Sequence, residues 1–134
     1  MELVEGPTLD DRLALGPLPI EECVAIARQV ADALGYAHTM GVVHRDIKPA
    51  NIMYEPESDT PKVTDFGIAR ITDSSKTKTG VVLGTPSYMS PEQLAGRRID
   101  GRSDVYSLGV VLYECLVGEP PFTGEVQSIL YRIV

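Results

Sequence analysis

From about Pro19 to Thr39, Ile20, Val24, Ala27, Val30, Ala31, Leu34 and Ala37 recur at helical spacing. The spacing predicts one long helix. Glu21 and Glu22 suit its N-terminus, where the helix dipole favours negative charge, and Gly41 closes it. The pattern then changes. Between Val42 and Arg70 the short apolar runs Val42-Val43, Asn51-Ile52-Met53-Tyr54 and Lys62-Val63-Thr64 alternate with polar turns such as Glu55 to Pro61. This predicts short strands with a hairpin, carrying charged residues at their ends.

The flanking segments read as helices and loops. Gly6-Pro7 is a turn, Thr8 an N-cap, and Asp10 and Asp11 lie in the first turn of a short helix that Gly16-Pro17 ends. Thr72 to Thr79 is a polar, exposed loop. Ser90-Pro91-Glu92 starts a short helix with Pro91 at its first position. Ser103 to Val117 is apolar on several faces, which predicts a buried helix stopped by Gly118 and Pro120-Pro121. Thr123 to Val134 reads as a final amphipathic helix. The order of helix, small strand cluster, loop and buried helix belongs to a mainly helical α+β domain. A length of 134 residues suits one domain with one core.

Composition excludes several classes of function. With 43% apolar and 23% charged residues the chain is globular rather than disordered. Its net charge of −7 argues against nonspecific association with nucleic acid or anionic membrane. It fits a soluble cytoplasmic protein. The best apolar run, Val105 to Tyr113, is far too short to span a bilayer. The opening residues have no basic start and long apolar stretch, so no signal peptide is expected. Cys23 and Cys115 are distant in sequence and belong to no CxxC or Cys/His cluster. They are read as buried small hydrophobes, not zinc ligands.

The densest polar cluster is His44-Arg45-Asp46-Ile47-Lys48-Pro49-Ala50-Asn51, and Asp65-Phe66-Gly67 follows fourteen residues after Asn51. An isolated Asp or Asn is usually a turn former or a cap. The combination, with Ser90-Pro91-Glu92 beyond it, resembles the eukaryotic-type protein kinase family. Lys48, two residues after Asp46, and the stretch Gly84-Thr85-Pro86-Ser87-Tyr88 resemble the serine/threonine kinases. Tyr88-Met89-Ser90-Pro91-Glu92-Gln93 and Arg102-Ser103-Asp104-Val105-Tyr106-Ser107-Leu108-Gly109 look most like their bacterial branch.

The resemblance implies an ATP- and Mg²⁺-dependent transferase acting on Ser/Thr hydroxyls of proteins. Phosphoryl transfer needs an in-line nucleophile and neutralised phosphate charge. Asp46 would accept the substrate hydroxyl proton, and Lys48 would stand near the γ-phosphate. Asn51 and Asp65 would hold Mg²⁺, a hard cation that prefers oxygen. Thr85 would bond Asp46 and Lys48. Gly67 would let the backbone turn Asp65 inward, and Phe66 would pack beneath the site. His44 would pack rather than act as a base, and Asp104 would accept hydrogen bonds from the catalytic-loop backbone. Thr77 and Thr79, in the activation segment from Asp65 to Glu92, would be phosphorylated and pair with Arg45. Self-association for phosphorylation in trans goes with this.

By the same resemblance, Met1 to Gly6 would link two lobes. The Glu2 carbonyl and the Val4 backbone would bond adenine, Met53 would cover its face, and Thr8 or Asp11 would reach the ribose. Residues 1–134 would then be about the middle half of a kinase domain, mostly the larger lobe, without the glycine-rich loop or the last helices. The expectation for such a fragment alone is marginal folding and no activity. A noncatalytic kinase-like binding module or a decayed remnant is the alternative. Bacterial relatives often continue into a membrane anchor, which leaves a membrane-attached full-length protein open.

Overall fold

The computed structural model describes residues 6–64, 66 and 86–133. Helix α1, Leu9–Leu13, begins at Thr8, whose hydroxyl accepts from the Asp11 N–H while the Asp11 carboxylate accepts from the Thr8 N–H. This reciprocal cap satisfies two donors that a helix start leaves open. It also uses the two side chains that the sequence offered to a ribose. Helix α2, Ile20–Thr39, starts after Pro19 and buries Cys23, Ile26, Val30, Leu34 and Ala37. These positions follow the predicted stripe, rotated slightly, since Ile20 and Val24 are exposed.

The end of α2 explains one departure from expectation. Val42-Val43 is not a strand. The Gly41 N–H donates to the His38 carbonyl and the Val42 N–H to the Ala37 carbonyl. That closes the helix in a Schellman turn, with Gly41 in the left-handed region at φ 79°. Met40, not Gly41, is the capping residue. Val42 is thus committed to the helix end and has no N–H left for a ladder.

A short 3-10 turn, Pro49–Asn51, leads into β1, Ile52–Tyr54, so Asn51 precedes the strand rather than lying in it. β1 pairs antiparallel with β2, Pro61–Val63, in the register Ile52 with Val63, Met53 with Lys62 and Tyr54 with Pro61. A second 3-10 turn, Pro86–Tyr88, precedes α3, Pro91–Leu94, which Ser90 caps. Helix α4, Gly101–Val117, follows, and α5 is Val126–Ile133.

The core lies where α2 crosses α4 over the hairpin. It joins Leu9 and Leu13 of α1, the stripe of α2, Ile47, Ile52 and Tyr54, and Leu108, Val111 and Cys115 of α4. Each fully buried large aliphatic side chain contributes about 1.5–3 kcal/mol. Helix α4 is buried on one side only. Ser103, Asp104, Ser107, Leu108, Val110, Val111, Glu114 and Cys115 are buried, as expected of this helix, while part of its apolar surface, Val105, Tyr113, Leu116 and Val117, is exposed. Arg12 pins the hairpin to the helices, with Glu22 at 2.7 Å, Asp59 as a second ion-pair partner, and its guanidinium 3.5 Å over the Tyr54 ring. Among the described residues no helix is long and apolar enough to cross a membrane.

Candidate active site

The loop between α2 and β1 is held by a carboxylate from another element. Asp104, in the first turn of α4, is buried. Its Oδ2 accepts from the His44 N–H at 2.8 Å and its Oδ1 from the Arg45 N–H at 2.9 Å. His38, in the last turn of α2, places Nε2 2.8 Å from the same Oδ2. Gly101 makes this approach possible, because a Cβ there would lie 2.6 Å from His38 Nδ1. One carboxylate therefore joins the end of α2, the start of α4 and the loop between them.

Two features of that loop set its shape. Arg45 has φ 76°. This left-handed conformation costs a non-glycine residue about 1–2 kcal/mol. His44 is fully buried, and its ring is fully engaged. The Asp46 N–H donates to Nδ1 at 3.1 Å, so Nε2 carries the proton and donates to the Thr64 carbonyl at 2.6 Å. The edge of the ring packs on Phe66 at 4.6 Å between centroids. His44 is thus placed as a packing residue, with neither nitrogen available to a substrate.

Asp46, Lys48 and Asn51 converge. Asn51 is buried, and its Nδ2 donates to the Asp46 carbonyl at 2.7 Å and to Asp46 Oδ2 at 3.2 Å. Lys48 Nζ stands 3.6 Å from Asp46 Oδ2. The Asp46 carboxylate remains about half exposed, at 46%, and so is open to a reactant. The Asn51 carbonyl accepts from the Thr64 N–H at 2.8 Å, which brings the residue before Asp65 to the same place. Met53 lies on β1 with a bridge to Thr8, which sets it beside the start of α1. Glu2, Val4, Asp65, Thr77, Thr79 and Thr85 lie outside the described residues.

Residues 1–134 match the protein kinase domain family. The chain belongs to that family. It is 52% identical over 138 residues to the serine/threonine-protein kinase PknB of Mycobacterium leprae, covering all of this chain and 22% of that protein. It is 51% identical to PknB of Mycobacterium tuberculosis over 139 residues, with the same coverage. Similarity to the serine/threonine-protein kinase PknL of Mycobacterium tuberculosis is 49% over 135 residues, covering 98% of this chain and 34% of that protein. The chain therefore spans about a fifth to a third of the length of these relatives. It falls in the bacterial branch of the eukaryotic-type kinases.

Sequence reasoning missed two residues of the kinase loop's surroundings. His38 stands out only as a His in the last turn of a helix, where a positive dipole partner is common. Gln93 stands out only as the third residue of a capping box begun by Ser90. Neither signal reveals that the His38 ring reaches Asp104 or that the Gln93 amide reaches the Arg45 carbonyl.

Proposed function

We propose that this domain transfers the γ-phosphate of ATP to a Ser or Thr hydroxyl of a protein. The observation that carries the reading is the convergence of Asp46, Lys48 and Asn51, with the Asp46 carboxylate half exposed and tethered through Oδ2. The names of its relatives support the serine/threonine class.

The chemistry follows from the donor set. Asp46 is an acceptor-only group facing solvent, so it can orient a hydroxyl and take its proton as the oxygen attacks. Lys48 supplies fixed positive charge beside that carboxylate, suited to the transferring phosphoryl group. Asn51 has its Nδ2 committed to Asp46, which directs its Oδ1, a hard oxygen donor, to the other side of the amide. That arrangement fits Mg²⁺. With Asp65, Asn51 would hold the ion, which when bound neutralises phosphate charge. Thr85 would complete the set by bonding Asp46 and Lys48, and Glu2, Val4 and Met53 would hold adenine.

The same reading places residues 1–134 in the larger lobe, from the lobe connection through the activation segment to the helix after the central α4. Thr77 and Thr79 are its phosphorylation sites, reached in trans within a self-associated pair, and the domain is cytoplasmic, in a full-length protein that could be membrane-anchored. The test is a phosphotransfer assay of the full-length protein with Mg²⁺ and ATP, alongside Asp46→Asn. The variant should lose at least about 100-fold in rate, the scale of a lost general base. Mass spectrometry of the incubated protein should find phosphate on Thr77 and Thr79. Equal rates for protein and variant would remove the kinase reading.

A further inference from the structure

The backbone of Arg45 is gripped from both sides by side chains distant in sequence. Its N–H donates to Asp104 Oδ1 at 2.9 Å, and its carbonyl accepts from Gln93 Nε2 at 2.8 Å. The carbonyl belongs to the peptide that joins Arg45 to Asp46. Arg45 itself holds a φ of 76°, a conformation that persists only where its surroundings enforce it. The N–H of the same peptide donates to His44 Nδ1 at 3.1 Å, so a turn of that plane would break both bonds and loosen the loop that aims Asp46 at Asn51 and Lys48.

The orientation of the Gln93 amide is not ambiguous. Its Oε1 lies 3.0 Å from the Ser90 N–H, which can only donate. Its Nε2 therefore faces the Arg45 carbonyl, which can only accept. Gln93 lies on α3, and its backbone N–H donates to Ser90 Oγ at 3.3 Å. Ser90 Oγ in turn sits 3.1 Å from Ser103 Oγ on α4. The amide thus has one end in the cap of α3 and the other on the loop that carries Asp46.

We propose that Gln93 is a positioning residue for phosphotransfer: its Nε2 locks the Arg45–Asp46 peptide and couples the α3 turn to the aim of the Asp46 carboxylate. This rests on the kinase reading above. The competing role is that of a helix cap alone. A capping box accepts Glu as well as Gln at this position. Gln93→Glu therefore keeps the acceptor for Ser90 and replaces only the donor, setting a carboxylate oxygen against the Arg45 carbonyl.

The experiment compares the full-length protein with Gln93→Glu, Gln93→Ala and Asp46→Asn. The readouts are kcat, KM for ATP, melting temperature and hydrogen exchange of the amides from His44 to Lys48. Gln93→Glu should lower kcat about tenfold, with KM changed by less than about twofold. Its melting temperature should stay within about 2 °C, while exchange across His44 to Lys48 quickens. Gln93→Ala should lose a similar factor in kcat and also melt lower, having lost the cap. Unchanged kcat and exchange in Gln93→Glu would overturn the proposal, as would a kcat loss that only follows melting. If the unsubstituted protein is no more active than Asp46→Asn, the kinase reading fails and the phosphotransfer role falls with it. Hydrogen exchange then reports separately whether Gln93 holds the loop.

Discussion

Asp104 shows how much a single residue can hold. Its two oxygens accept from the His44 and Arg45 N–H groups and meet His38 Nε2, all in a buried setting. Removing it strands two buried backbone donors, each at a cost of about 1–3 kcal/mol. Asp104→Ala should therefore lower unfolding stability by about 3 kcal/mol or more, a large share of a typical domain's total. Asp104→Asn keeps one acceptor and should fall between, in a urea titration of the full-length protein. Equal midpoints for all three would mean that the loop is held by other contacts. A carboxylate at the head of an apolar helix was visible in the sequence, and the family resemblance implied its partner, the backbone of the loop after α2. The His38 contact was not, because it depends on where α2 ends relative to α4.

The helices follow their local signals closely. Thr8, Ser90 and Asp100 cap α1, α3 and α4, and each side chain accepts a backbone N–H in the first turn. The starts at Thr8 and Ser90 were legible from a few residues, whereas α4 begins at Gly101, before the expected Ser103. The exception is informative. Gly101 opens α4, where alanine would ordinarily stabilise a helix by about 0.5–1 kcal/mol. Here a Cβ would lie 2.6 Å from His38 Nδ1 and 2.8 Å from Cε1, so the ring would have to leave Asp104. Gly101→Ala should therefore destabilise, with a melting temperature lower by several degrees. A higher melting temperature would show that helix propensity outweighs the His38–Asp104 contact. The strands were less legible than the helices. Val42-Val43 has strand-like residues, yet the turn after α2 takes its backbone first.

At the scale of the molecule, the packing of α2 on α4 governs the chemistry of groups far from the loop. Cys23 and Cys115 are separated by most of the chain, yet both are buried in the one core. Burial pushes the Cys115 thiol up to about 12, which keeps it protonated and unreactive at neutral pH. Glu114, on the same helix, accepts from the Tyr88 hydroxyl and ties α4 to the 3-10 turn at Pro86–Tyr88. Burial raises its carboxyl above the ordinary value of 4.5, only partly offset by that hydrogen bond. A carboxyl raised in the folded state favours folding below its unfolded value, and that contribution disappears as pH rises through the folded value. Glu114→Gln should therefore gain stability relative to the unsubstituted protein as pH rises above about 4.5, read as a melting-temperature difference that grows with pH. A constant difference across that range would mean that Glu114 does not titrate differently on folding.

The sequence by itself determined the order of the helices, the starts of α1 and α3, the apolar stripe of α2 and the chemical types gathered around Asp46. These depend on neighbours three or four residues away, or on motif spacing along one loop. Tertiary structure alone decided the left-handed Arg45, the Gln93 contact to its carbonyl, the His38 contact to Asp104 and the burial of Cys23 and Cys115 in one core. Each of these requires groups tens of residues apart to be brought within hydrogen-bonding or packing distance. Such contacts arise from how whole elements cross, a geometry with no local period in the chain.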